Sequence, residues 1–82
     1  MRIHSSAAFA AIVRDARLRA NMTQDDLAKA VHKTRRWVHD LEAGKVSPSL
    51  SAVIDVSAVL GYTVELERSE RSDVLDELFE NL

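Results

Sequence analysis

Residues 23–42, TQDDLAKAVHKTRRWVHDLE, decide how the rest of the chain is read. Leu27, Ala28 and Val31 recur at helical spacing, as do Val38 and Leu41, so each half carries an apolar stripe to bury. Thr23 and Thr34 each stand just ahead of such a stripe, where a hydroxyl oxygen accepts from an unpaired helix N–H. Asp25 and Asp26 fall in the first turn of the first segment, where the helix macrodipole favours anions. Between the segments lie only His32 and Lys33, room for a sharp reorientation and nothing more. Two short helices joined this way are a helix-turn-helix.

Working outward, 82 residues allow one domain around one small core. With two glycines and one proline there is little material for hairpins, which favours an all-α fold. The absence of cysteine excludes disulfides and thiolate-held zinc, and suits a reducing cytoplasm. Met1–Ser6 lacks an apolar run and no stretch is long enough to span a bilayer, so neither a signal peptide nor a membrane partner is expected. A chain this short gains robustness from extra burial, most commonly by self-association.

Net charge of −2 would discourage a nucleic-acid reading, but its distribution reverses that judgement. Residues 1–47 hold nine Lys/Arg against five Asp/Glu, or +4, whereas residues 65–82 hold two against seven, or −5. One end suits phosphate. The other suits solvent or a basic protein surface.

The periodicity predicts a first helix over Ser6–Ala20, capped by Ser5 or Ser6, with Phe9, Ile12, Val13 and Ala16 on its apolar face and Asn21 ending it. Helices over Thr23–Val31 and Thr34–Ala43 follow, the latter ended by Gly44. A fourth opens with Ser47 as cap and Pro48 at its first position, buries Leu50, Val53, Ile54, Val56 and Leu60, and stops at Gly61. The period then changes. Tyr62, Val64 and Leu66 alternate with polar residues, a half-buried strand over 62–67. A lone strand needs a partner for its backbone, either Met1–His4 or, preferably, the same strand of a second copy around a twofold axis. The tail, 68–82, is acidic and amphipathic: Val74, Leu75, Leu78, Phe79 and Leu82 share a helical face, with Ser72 as cap. The expected layout is thus a DNA-binding domain over 1–61, a dimerisation strand over 62–67 and the tail.

Placing each residue of the third helix at 100° from the last sets Leu41 and Thr34 near the direction of Val38, while Arg36, His39 and Asp40 point away and Arg35 flanks the leading end. Arginine pairs with guanine O6 and N7 in the major groove, and Asp40 either accepts from a cytosine amino group or orients Arg36 from one turn on. Thr23, Lys33 and Lys45 are phosphate candidates. A solvated basic face is the alternative for the whole cluster. Trp37 falls off the core direction but beside Leu41, at the edge of the core or against a sugar-phosphate strand. Glu42 lies about 40° from Val38, on the buried side, and so requires a partner. His4, His32 and His39 match no metal spacing, and no nucleophile–base arrangement or phosphate loop is recognisable, so neither catalysis, metal nor cofactor is expected.

VRDAR, NMTQDDLA, VHKTRRWVHDLEAG and the Pro48-opened helix make residues 9–61 resemble the Cro and lambda-repressor superfamily of helix-turn-helix proteins. Ala28 stands at the motif's small-residue position, and Leu27, Val38 and Leu41 at its apolar ones. His32 replaces the usual turn glycine, though histidine tolerates positive φ. The resemblance implies that Gln24 bonds a phosphate and braces the recognition helix, and that Arg17 and Glu42 form an internal salt bridge. More narrowly, RRWVHDLEAGKVSP and a fourth helix ending in LGYTVELE are similar to HipB-type antitoxins. That likeness implies a homodimer paired through the strand, repression of its own operon, and silencing of a HipA-type serine/threonine kinase toxin. Leu78, Phe79 and Leu82 would then anchor either the dimer or that partner. A phage or plasmid repressor, and a protein-interaction inhibitor with little DNA binding, remain alternatives.

Overall fold

Each of the four helices between Ser6 and Val59 starts at a side-chain oxygen and ends at a left-handed residue. A computed structural model describes residues 2–68, together with 78 and 79. Its helices are α1 (Ser6–Arg19), α2 (Gln24–Ala30), α3 (Arg35–Glu42) and α4 (Leu50–Val59). Ser5, Thr23, Thr34 and Ser49 cap them, each side chain accepting from the backbone N–H three residues on, at 3.0–3.1 Å. At α2 the cap is reciprocal, since the Asp26 carboxylate also accepts from the Thr23 N–H at 2.9 Å.

The four endings share one geometry. Asn21, His32, Gly44 and Gly61 have φ of 57°, 57°, 74° and 87°. The N–H after each returns to a carbonyl five residues back: Met22 to Arg17, Lys33 to Ala28, Lys45 to Asp40 and Tyr62 to Ser57. These closures satisfy carbonyls that the helix leaves open and turn the chain sharply at each corner. His32 adopts the glycine-favoured conformation anticipated at the α2–α3 turn.

The core is where the stripes converge. Phe9, Val13, Leu27, Ala28, Val31, Val38, Leu41 and Val56 form one buried cluster, with Met22, Trp37, Val53 and Leu60 packed on its margin. The helix α3 packs against α1 and α2, and α4 against α2. The fourth helix departs from expectation in two ways. Ser49, not Ser47, takes the cap, so α4 starts at Leu50 and Pro48 stays outside it. Two serines flank the proline, and the second closes the hydrogen bond. Leu50 and Ile54, expected in the core, are 70% and 48% exposed, because the inward side of α4 is made by Ala52, Val56 and Ser57.

The strand over 62–67 is not formed: the described residues contain none. Tyr62, Val64 and Leu66 are all exposed, Leu66 fully. A single chain supplies no ladder for their backbone, and the Arg2–Glu67 ion pair at 3.7 Å brings the N-terminal segment alongside without one. Leu78 and Phe79 are exposed. The remaining tail expectations, Ser72, Val74, Leu75 and Leu82 included, lie outside the described residues.

One ion pair crosses the core. Arg17 Nε and Nη2 donate to the two Glu42 carboxylate oxygens at 2.6 and 2.9 Å, and Nη1 donates to the Met22 carbonyl at 2.7 Å. Both side chains are under a tenth exposed. The carboxylate's hydrogen bond, with its charge, holds the Arg17 pKa above the ordinary guanidinium value despite burial. Removing one member strands a buried charge. Arg17→Ala should therefore cost about 3–5 kcal/mol in denaturant melts, whereas replacing both members with apolar residues of similar volume should cost far less. A single-variant loss of under about 1 kcal/mol would contradict the burial.

The α2 cap predicts a pH dependence. Hydrogen bonds from the Thr23 N–H and hydroxyl hold the Asp26 carboxyl below the ordinary value of 3.8, with a smaller contribution from Lys29. A depressed folded-state pKa stabilises fully above the unfolded value and is lost as pH falls through the folded one. Thermal melts should show wild type losing stability more steeply than Asp26→Asn once pH drops below 3.8. Parallel curves would sink this.

Candidate nucleic-acid interface

The outward side of α3 is set by what its inward side is tied to. Val38 and Leu41 are 0% and 1% exposed, so the rest of an eight-residue helix has little freedom to rotate. Thr34 fixes its first turn by accepting the Trp37 N–H at 3.0 Å. The Arg17–Glu42 pair fixes its last. Arg35, Arg36 and His39 are consequently exposed, and with Gln24 they line one open cleft beside the start of α2.

The side chains in and around this cleft are predominantly cationic. Arg36 is 90% exposed and only loosely held, its Nε 3.9 Å from Asp40 one turn on. Of the two roles open to Asp40, orienting Arg36 is thus visible, though weak. Arg35 has no ion pair among the described residues. Neither guanidinium is folded beneath another segment, which is the condition for reading bases with them. Lys33 and Lys45 are exposed at the two ends of α3. Thr23 and Thr34 are exposed as well, and each hydroxyl accepts a capping hydrogen bond; the Thr34 O–H is left to donate outward, whereas the Thr23 hydroxyl is also engaged with the Asp26 carboxylate.

Gln24 sits differently from a simple phosphate ligand. Its amide Nε2 donates to Glu42 Oε1 at 3.3 Å, which makes it a brace between the start of α2 and the end of α3. The structure brings it to the cleft and to the buried ion pair at once. Tyr62, Val64 and Leu66, by contrast, line a separate groove of about 940 Å³ with Ile3, Phe9, Val53 and Leu60.

Trp37 is half-buried against the core margin, as its place beside Leu41 suggested. What sequence reasoning missed is its second contact: the Lys33 ammonium lies 5.4 Å from the indole centroid. The i, i+4 spacing of these residues was the available signal. Among the described residues no group of His, Asp and Glu is arranged to hold a metal ion, and no helix is long and apolar enough to cross a membrane.

Comparison with known proteins agrees with this geometry. The helix-turn-helix family model HTH_3 matches residues 13–66. An uncharacterized HTH-type transcriptional regulator of Sinorhizobium fredii, y4mF, is 35% identical over 65 residues, covering 79% of this chain and 86% of the relative. A second uncharacterized HTH-type regulator, from Archaeoglobus fulgidus, is 36% identical over 53 residues, or 65% of this chain and 75% of its own. Among solved structures, the clp gene regulator ClgR of Corynebacterium glutamicum superposes with a TM-score of 0.68 at 25% identity, over 93% of this chain and 73% of that one. With the family model spanning most of the chain, and a four-helix core that fastens α3 while leaving its basic side open, this protein belongs to the Cro/lambda-repressor (XRE) helix-turn-helix family of DNA-binding transcriptional regulators, which are not enzymes.

Proposed function

We propose that the protein is a sequence-specific repressor acting in the cytoplasm, and that α3 enters the major groove of operator DNA. Arg35, Arg36, His39 and Asp40 then face base edges, while Thr23, Gln24, Lys33, Thr34 and Lys45 face phosphates. The observation that carries this reading is the two-sidedness of α3: its apolar side is fully buried and its guanidinium groups are exposed. Helix α3 already holds that orientation in the free chain, so docking demands little rearrangement.

A homodimer on a palindromic operator completes the reading. The backbone of residues 62–67 forms neither helix nor ladder, its apolar side chains are exposed, and it lines a groove of about 940 Å³. Pairing two such segments across a twofold axis would satisfy their backbone groups and cover Tyr62, Val64 and Leu66 together. We further propose that the protein is the antitoxin of a HipA-type kinase, autoregulating its operon. The likeness of residues 35–48 and 60–67 to HipB-type antitoxins supports this. So do the exposed Leu78 and Phe79 within an acidic stretch suited to a basic partner surface, with Leu82 on the same sequence stripe.

Electrophoretic shift with the DNA directly upstream of the gene tests the first claim. Arg35→Ala or Arg36→Ala should each weaken binding by about 1–3 kcal/mol and relax base preference. A shift unchanged by both substitutions would defeat the assignment. Co-purification with the product of an adjacent kinase-like reading frame tests the antitoxin reading, and a stable absence of complex would leave the repressor alone standing. For the dimer, Val64→Asp with Leu66→Asp should sediment as a monomer of unchanged helix content. Persistence of the dimer would remove the strand pairing.

A further inference from the structure

We propose that Trp37 is a positioning residue for DNA binding: its indole face holds the Lys33 ammonium at the entrance to α3, ready to meet a backbone phosphate. The proposal rests on α3 docking against DNA as above, and assigns Trp37 a task beyond filling the edge of the core.

The separation of 5.4 Å from Lys33 Nζ to the ring centroid lies within the range where an aromatic quadrupole attracts a cation. Several other cations on these helices have carboxylates, though Arg35 has none among the described residues. Lys29 pairs with Asp25 and Arg19 with Asp15, both at 3.1 Å, and Arg36 reaches Asp40 at 3.9 Å. Lys33 has no acid partner among the described residues. It also stands beside the positive end of the α3 dipole, which by itself repels a cation. The indole face offsets that repulsion, and its own position is fixed because Trp37 packs on the margin of the core.

The result is a local excess of positive potential at Lys33 that no acid among the described residues pairs with. The Trp37 N–H is taken by Thr34, while the Arg35 and Arg36 N–H groups have no backbone partner among the described residues. A phosphate oxygen arriving there meets Lys33 and these two N–H groups together. Restricting the lysine beforehand also reduces the side-chain entropy lost on binding. Because the ring acts through Lys33 and not on the DNA, its effect belongs to the salt-dependent part of the affinity.

The test measures the slope of log affinity against log salt, using a duplex from directly upstream of the gene and a scrambled duplex of equal length. Lys33→Ala should reduce the slope by about one per protomer on both duplexes. Trp37→Leu should reduce it toward the same value, Trp37→Phe should largely retain it, and Lys33→Arg should preserve it, since arginine also binds an aromatic face. Adding Lys33→Ala to Trp37→Leu should produce no further fall. If Trp37 is only a packing residue, Trp37→Leu lowers the melting temperature and leaves the slope intact, which overturns the proposal. If that variant does not fold, the wild-type Lys33 ε-methylene resonance decides: an upfield ring-current shift supports the contact, and a random-coil shift overturns it. Wild type that binds neither duplex would instead remove the DNA reading itself, an outcome distinct from a normal wild-type slope unaltered by the variants.

Discussion

Glu42 is the fixed point of the structure. Its carboxylate accepts two hydrogen bonds from Arg17 on α1 and one from Gln24 at the start of α2, while belonging to the last turn of α3. The same guanidinium holds the Met22 carbonyl in the connection between α1 and α2. Three helices and one loop are therefore registered on a single buried ion pair. Apolar packing is non-directional and by itself would let α3 slide or roll in its seat. Four directed hydrogen bonds around the Arg17–Glu42 pair, three of them ending on the carboxylate, remove that freedom. The cost of desolvating both ions makes such a pair weak evidence for stability, but its geometry is what a reading helix requires.

That constraint links the core to the surface. Gln24 joins the cleft with Arg35, Arg36 and His39, yet its amide is spent on Glu42. A change at Gln24 thus disturbs the end of α3 that Glu42 anchors as well as the cleft itself. The overall acidity of the chain does not oppose this arrangement. The excess of acid lies beyond residue 64, while residues 1–47 carry a net excess of lysine and arginine and the exposed Arg35 and Arg36 share one cleft.

The sequence was most informative where one residue acts on its near neighbours. Thr23 and Thr34 were recognisable as caps, and His32 as a left-handed corner, because capping and turn chemistry act within three to five residues. The stripes of α2 and α3 were legible for the same reason. The buried side of Glu42 was visible from helical angle alone, but its partner came only through family resemblance, since Arg17 lies 25 residues away. Helix α4 was harder. Ser47 and Ser49 are equally good caps by type, and the choice between them is made by the conformation around Pro48. Leu50 and Ile54 look like core residues, yet α4 is so apolar on every side that periodicity does not identify its inward face. Residues 62–67 have a clear strand pattern and no strand, because pairing depends on a neighbour that local sequence does not encode.

The two helices of the motif are themselves too short to be independent. At seven and eight residues, α2 and α3 are well below the length at which an isolated helix persists in water. They exist because their stripes meet over Leu27, Ala28, Val38 and Leu41, and because each end is capped. The recognition surface consequently has no folded state apart from the core. Loosening α3 enough to reorient Arg35 and Arg36 would expose Val38 and Leu41 and uncouple Glu42, so α3 orientation and global stability are one equilibrium. A longer recognition helix could fray at its tip and adapt. This one keeps its shape or unfolds, because its short apolar face and Glu42 tie it to the core along its whole length.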